Sequence, residues 1–165
     1  MRLIWTRNKS PLSKLIRWGL DEPVSHFAIV FDESLVFHSN LLGVHLEWFN
    51  TFKEKSEIVY SIGLFHTTLQ EQELVFRSIV DRFNGKRYDF GAFCYFAWRV
   101  LLKKWFKIGF PVVNKWDSSG KFLCTEIASG LPEPFTISEN IAITTPFKLW
   151  EIYKEKLGKY YPISQ

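Results

Sequence analysis

The chain has 165 residues, of which 47% are hydrophobic and 18% aromatic, which predicts one folded domain with a substantial core and no separate module. Its formal net charge is +4, but basic and acidic residues are interleaved, so we expect no nucleic acid partner. Only two cysteines occur, with no CxxC or other Cys/His spacing typical of zinc, so neither a disulfide framework nor a metal site is indicated.

The N-terminal segment predicts no targeting signal. Met1 to Lys9 has neither an apolar stretch of signal-peptide length nor a small-residue cleavage site, so we expect a cytoplasmic protein.

Within this segment, Arg2 to Thr6 is predicted to form a short strand. Ser10 then matches an N-cap, and Pro11 to Trp18 is the predicted helix, which ends at Gly19.

A β-hairpin follows, and its register decides where two histidines lie. Val24 to Phe31 is rich in β-branched and aromatic residues, which predicts a strand covered on both faces. After a turn at Asp32 to Ser34, the chain returns as the strand Leu35 to Ser39. A three-residue loop sets a register in which His26 and His38 share one face, roughly 7–8 Å apart. Loops of two or four residues would separate the two histidines.

The next elements extend the antiparallel sheet and add a helix. Gly43 to Phe49 is predicted as a strand that runs into a short polar connection, and Glu57 to Ile62 as a further strand. Thr68 and Glu71 form a capping box, which opens a helix with apolar residues at helical spacing. The pair Asn84 and Gly85 ends this helix.

The second half of the chain contains an aromatic-rich segment. Phe90 to Phe106 predicts a helix that is apolar on most sides, but it is shorter than the roughly 20 apolar residues that span a bilayer. We expect a buried or half-buried helix, with a membrane-surface helix as the alternative. A loop from Phe110 to Gly120 follows. Thr145 and Pro146 predict the start of a short C-terminal amphipathic helix.

The segment Lys121 to Gly130 places a thiol where a helix is predicted to begin. Loop-forming residues precede it, and a glycine and a proline end it after about two turns. Cys124 would then lie beside unpaired backbone N–H groups and the positive end of the helix dipole, which would lower the pKa of its thiol. Such a thiol suits nucleophilic attack, although a buried small hydrophobe is the alternative. Cys94, in the middle of the aromatic-rich helix, is expected to belong to the core.

A nucleophilic thiol needs a base, and the base needs a polar group on its second ring nitrogen to fix the tautomer. Cys124, His26 and His38 could supply these three parts, although either histidine could instead be structural. His45 and His66 have no motif around them and are interpreted as ordinary residues. Residue types alone leave the assignment open, because two histidines and a cysteine occur together in most proteins.

The order and local sequence of these residues resemble a known family. The segments that carry the resemblance are Ser25-His26-Phe27-Ala28-Ile29-Val30, Val36-Phe37-His38, Gly43-Val44, Gly85, Tyr88-Asp89, Phe122-Leu123-Cys124-Thr125-Glu126-Ile127 and Thr145-Pro146. Together they resemble the circularly permuted NlpC-type branch of the papain-like superfamily, as in YiiX-like proteins and, more distantly, the lecithin:retinol acyltransferase group. The resemblance covers most of the chain. It implies an α+β fold in which a small antiparallel sheet packs against helices and the histidine strand precedes the cysteine helix.

The resemblance also implies a role for each matching residue. Cys124 would be the nucleophile, His26 the base and His38 the residue that orients His26, although many permuted relatives carry a carboxylate where His38 stands. Tyr88 would border the cleft or support the oxyanion, with a packing role as the alternative. Glu126 matches the acidic residue of the motif and would be structural.

The implied chemistry is acyl transfer. Cys124 would attack an amide or ester carbonyl and form a thioester, its backbone N–H would help to hold the oxyanion, and His26 would protonate the leaving group. Water or another acceptor would then take the acyl group, and no cofactor would be required. The substrate would be a peptide, another amide or a lipid, and the oligomeric state stays open. The alternative is a non-catalytic protein of the same fold that contacts a membrane surface or an assembly such as a virion through exposed aromatic residues.

Overall fold

The computed structural model confirms the predicted α+β class. It describes residues 1–64, 68–106, 121–133, 135–137, 144–158, 161 and 163–164, so the predicted loop from Phe110 to Gly120 and His66 lie outside the described residues. The strands, in chain order, are β1 (Arg2–Asn8), β2 (His26–Phe31), β3 (Leu35–Asn40), β4 (Gly43–Trp48), β5 (Ser56–Gly63), β6 (Arg87–Tyr88), β7 (Lys121–Phe122) and β8 (Ile163–Ser164). The helices are α1 (Pro11–Leu20), α2 (Phe49–Lys55), α3 (Leu69–Phe83), α4 (Phe90–Phe106) and α5 (Pro146–Leu157), with a 3-10 helix at Thr125–Gly130.

Among the described residues, six strands form one antiparallel sheet in the order β4-β3-β2-β1-β5-β8. The strands β6 and β7 form a separate parallel pair. Because β6 precedes α4 and β7 ends two residues before Cys124, this small pair holds two distant parts of the chain side by side.

The hairpin between β2 and β3 has the predicted register. Phe31 pairs with Leu35, and Ala28 pairs with His38. The turn between the strands uses two residues with left-handed backbone, Asp32 at φ 49° and Glu33 at φ 55°. Because side chains alternate along a strand, this register places His26 and His38 on the same face of the sheet.

Both faces of the sheet are covered, as expected for β2. On one face, Trp5 is fully buried, and its ring centroid lies 5.2 Å from that of Phe27 and 5.1 Å from that of Trp150 in α5. On the other face, the buried residues Ile4, Ala28, Val30, Val36, Phe49 and Phe52 pack together. The histidine face is therefore the face that α2 covers.

The helix starts predicted from caps are confirmed. The hydroxyl of Ser10 accepts a hydrogen bond from the backbone N–H of Ser13, and that of Thr145 accepts one from Lys148. Thr68 and Glu71 form both hydrogen bonds of the capping box.

Phe49 was predicted to end a strand and the residues after it to form a short polar connection, and this prediction is wrong because Phe49–Lys55 is the helix α2. Phe49 and Phe52, three residues apart, are only 3% and 2% exposed. Burial of these two rings against β2 and β3 stabilises this seven-residue helix, which its otherwise polar sequence does not predict.

The helix α4 spans the predicted residues and is half-buried. Several of its described side chains are partly covered, whereas four large apolar side chains are exposed, namely Phe90, Trp98, Trp105 and Phe106. Its Lys104 lies over the Trp18 ring of α1, 4.2 Å from the centroid. Within the part of the chain that the structure describes, no helix has the length and apolarity needed to cross a membrane.

We expect Gly130→Ala to lower the free energy of unfolding by about 1–3 kcal/mol, because a methyl group there overpacks the interface between the 3-10 helix and α3. A Cβ on Gly130 would lie 2.3 Å from Cε2 of the buried Phe83 ring. Urea denaturation followed by circular dichroism measures the effect. Ser129→Ala is the matched control, since Ser129 already has a Cβ, and equal stability of the two variants would contradict the expectation.

Candidate active site

A cavity of about 510 Å³ brings together four of the five predicted site residues. Cys124, His26, His38 and Tyr88 all line it. Its walls come from the ends of β2 and β3, from α1 and α2, and from the segment that precedes the 3-10 helix. The fifth residue, Glu126, lies two residues after Cys124 in the 3-10 helix, whereas Cys94 lies in α4 and is not one of the described residues that line the cavity.

The two histidines are in direct contact. Nε2 of His26 lies 3.1 Å from Nδ1 of His38, and the ring planes are close to perpendicular, at 83°. One of the two nitrogens must carry the proton of this hydrogen bond, so the tautomers of the two rings are coupled. The contact leaves Nδ1 of His26 for a second partner.

Glu47, which was not among the predicted site residues, contacts His38. Oε2 of Glu47 lies 3.3 Å from Nε2 of His38, and Oε1 of Glu47 lies 2.7 Å from Nζ of Lys55. This contact does not meet strict hydrogen-bond criteria, and the effect of the Glu47 carboxylate on His38 is mainly the attraction between opposite charges, with a smaller contribution from hydrogen bonding. The array therefore runs from His26 through His38 and Glu47 to Lys55.

Strand register explains how Glu47 reaches this position. The two-residue turn between β3 and β4 pairs Asn40 with Gly43 and hence His38 with His45. Glu47 is two residues beyond His45 on β4, so it lies on the same face, diagonal to His38. The position of Glu47 could have been predicted from the alternation His45-x-Glu47, which follows a turn that ends at Gly43. Gly43 has φ 111°.

Burial keeps both histidines neutral near pH 7. Burial lowers the pKa of His26 to about 3, and the nearby His38 and His45 rings add to the effect. Burial also lowers the pKa of His38 to about 4, with a further decrease from His45, while the Glu47 carboxylate acts in the opposite direction. A neutral imidazole has a free lone pair, so either ring can accept a proton.

The structure corrects the expectation for Cys124. The residue precedes a six-residue 3-10 helix, not a two-turn α-helix, and burial raises the pKa of its thiol to about 11. The backbone N–H groups of Phe27, Thr125 and Cys124 itself act in the opposite direction, because they favour a negative charge on the sulfur. The predicted decrease in the pKa is therefore wrong, since burial outweighs the N–H groups.

The thiol and the proposed base line the same cavity without a direct hydrogen bond. The backbone N–H of Phe27, the residue after His26, acts on the Cys124 sulfur. Among the described residues, no hydrogen bond joins Cys124 to His26. Catalytic hydrogen bonds in ligand-free enzymes are often long and shorten only when substrate is bound.

Glu126 and Tyr88 flank the thiol in different ways. The Glu126 carboxylate accepts a hydrogen bond of 2.5 Å from the backbone N–H of Leu123, which ties the Cys124 segment to the 3-10 helix. Tyr88 pairs with Phe122 in the small parallel sheet and lines the cavity. Burial and the proximity of Cys124 raise the pKa of Tyr88, so its hydroxyl stays protonated and can donate a hydrogen bond.

Comparison of the chain with protein-family models, with curated proteins and with solved structures finds no match. A fold does not by itself imply a function. Function is therefore inferred from the chemistry of the cavity.

We expect alkylation of Cys124 by iodoacetamide to be slow at pH 7 and to accelerate about tenfold per pH unit up to about pH 10. Only the thiolate reacts, and the raised pKa of about 11 keeps the thiolate fraction small at neutral pH. Mass mapping of the labelled cysteine at several pH values measures the rate. In urea the same cysteine should behave as an ordinary thiol, and a rate in the folded protein that stops rising below pH 8 would contradict the expectation.

Proposed function

We propose that this protein is a cysteine hydrolase or acyltransferase of the circularly permuted NlpC-type, papain-like kind. It would cleave an amide or ester bond through a thioester on Cys124. One observation carries the proposal, namely that Cys124 lines the same cavity as His26, His38 and Glu47, in which Nε2 of His26 lies 3.1 Å from Nδ1 of His38 and Nε2 of His38 lies 3.3 Å from Oε2 of Glu47. A nucleophile, a base and groups that orient the base are the parts that acyl transfer requires.

The pKa values indicate how the proton moves in this mechanism. Because the pKa of the Cys124 thiol is about 11 and the pKa of His26 is about 3, a resting thiolate–imidazolium pair is unfavourable. The thiol proton must therefore pass to Nδ1 of His26 while the C–S bond forms, when negative charge moves from sulfur to the carbonyl oxygen. The new imidazolium donates its Nε2–H to Nδ1 of His38, and Glu47 stabilises the positive charge through His38.

The oxyanion has donors available beside the sulfur. The backbone N–H groups of Cys124, Thr125 and Phe27 already act on this region, and the Tyr88 hydroxyl borders the same cavity. When the intermediate collapses, the bond to the leaving group breaks and His26 returns its proton to that group. Water or an acceptor alcohol or amine then attacks the thioester, with His26 again as the base.

The walls of the cavity favour an apolar acyl group. Leu12 and Ile16 of α1 and Phe52 of α2 line it. Leu41 and Leu42 lie at its edge, and Leu42 is 89% exposed. This apolar lining supports a fatty acyl chain or an apolar peptide side chain as the substrate group that lies next to the reacting carbonyl.

A second candidate function is a non-catalytic binding protein of the same fold. The exposed side chains of Trp18, Trp98, Trp105 and Phe106 favour it, because large exposed apolar residues are typical of contact surfaces for a membrane or an assembly. The two candidates differ in one outcome, since only the enzyme forms a covalent intermediate on Cys124.

We expect p-nitrophenyl butyrate to acylate Cys124, because the ester is activated and its chain is apolar. Intact-mass analysis after rapid acid quench should show one added butyryl group, which neutral hydroxylamine removes because it cleaves thioesters and not amides. Cys124→Ala should abolish this species, while Cys94→Ala, the matched control, should retain it. A hydroxylamine-stable adduct that persists in Cys124→Ala would contradict the enzymatic proposal and favour the binding protein.

We expect His26→Ala to reduce the acylation rate by about 10²–10⁴-fold, close to the Cys124→Ala background, because it removes the group that takes the proton. His38→Ala should cost less, and Glu47→Gln less again, because these groups orient the base and stabilise its charge. Stopped-flow release of p-nitrophenol measures each rate, with circular dichroism to verify folding. An equal and complete loss in all three variants would show that His38 and Glu47 do more than orient His26.

A further inference from the structure

Three potential metal ligands cluster beside the proposed base. His38, His45 and Glu47 lie on one face of the neighbouring strands β3 and β4, where His38 and His45 are direct partners. Their ligand atoms all lie within 4.8 Å of one another. His45 takes no part in the proton path described above.

A hydrogen bond at one nitrogen of each imidazole leaves the other nitrogen available to bind a metal ion. Nδ1 of His45 lies 3.1 Å from the carbonyl oxygen of Gly43, which can only accept, so Nδ1 carries the proton and Nε2 is free to coordinate. Nδ1 of His38 is bonded to His26, which leaves Nε2. This Nε2 atom is buried and has no hydrogen-bond partner in the part of the chain that the structure describes.

The Glu47 carboxylate is oriented by a contact at one oxygen, which leaves the other oxygen beside His38. Lys55 binds Oε1 of Glu47 at 2.7 Å, while Oε2 faces His38 Nε2 at 3.3 Å. Donors bound to one tetrahedral ion at 2.0–2.1 Å are separated by about 3.3 Å. The His38–Glu47 pair already has this separation, and only His45 would have to move closer, by up to roughly 1.5 Å.

We propose that His38, His45 and Glu47 bind a divalent transition-metal ion of the zinc class, and that this ion switches off the thiol base. Two imidazole nitrogens and one carboxylate oxygen form a donor set typical of Zn²⁺, whereas Mg²⁺ and Ca²⁺ prefer oxygen ligands alone. Gly43, His26 and Lys55 supply the outer hydrogen bonds that orient the three ligands.

The inhibitory part, which rests on the proposed function, follows from the coupled tautomers. Coordination through Nε2 requires the proton of His38 to lie on Nδ1, where it is donated to Nε2 of His26. Neutral His26 then carries its own proton on Nδ1, the atom that must accept the thiol proton. The metal-bound site therefore holds His26 in the tautomer that cannot act as the base.

The binding test uses the 165-residue chain and the metal alone. Titration with Co²⁺ should give visible d–d absorption bands, and Zn²⁺ should displace the Co²⁺ and bleach them. We expect His45→Ala and Glu47→Gln to weaken binding by at least tenfold, whereas Cys124→Ala and the exposed-carboxylate control Glu57→Gln should bind as the unaltered protein does. His45→Gln provides a milder variant if circular dichroism shows that the alanine variant is unfolded.

Two results would overturn the metal site. One is equal affinity of the unaltered protein and both ligand variants. The other is loss of binding in Cys124→Ala with retention in His45→Ala, which would place the ion on the thiol.

The inhibitory step has its own measurement. Zn²⁺ should slow butyrylation of Cys124 in the unaltered protein at least tenfold and should have much less effect in His45→Ala at the same concentration. Binding without inhibition, or with faster acylation, would overturn the tautomer switch. If Cys124 is never acylated, the proposed enzyme function fails, and the Co²⁺ spectrum still decides the metal site.

Discussion

The register of two consecutive β-turns is the constraint on which the candidate site depends. The three-residue turn after Phe31 places His38 on the face of His26, and the two-residue turn at Leu41 and Leu42 sets His45 opposite His38. Side chains alternate along a strand, so a slip of one residue at either turn would send at least one of these groups to the opposite face. Left-handed backbone at Asp32, Glu33 and Gly43 makes these turns.

Burial determines what the histidine array can do chemically. The helix α2 places Phe52 against both rings, with centroid separations of 6.3 Å to His26 and 5.1 Å to His38. In this setting both imidazoles are neutral and the thiol of Cys124 stays protonated, because a low-polarity environment disfavours every charged form. The proposed reaction therefore uses a neutral resting site, in which charge develops only as the substrate carbonyl is attacked.

His38 takes part in both proposed roles of the site, the orientation of His26 and the binding of a metal ion. Its Nδ1 contacts His26 and its Nε2 contacts Glu47. The position of the single ring proton of His38 therefore affects both the proposed base and the metal-ligand cluster on β3 and β4. In the catalytic arrangement that proton lies on Nε2, and in the metal-bound arrangement it lies on Nδ1. The two states exclude each other, because a neutral imidazole carries a single N–H.

Local sequence by itself determined the elements whose signals lie within a few residues: the capped starts of α1, α3 and α5, the span of α4, and the hairpin that unites His26 with His38. Only the tertiary structure decided that residues 49–55 are helical, that Glu47 and His45 join His38, and that the pKa of Cys124 is raised. The reason is that caps and turns are satisfied by near neighbours in the chain. A short helix over a sheet, a diagonal pair across strands and the desolvation of a thiol depend on groups that the fold brings from elsewhere.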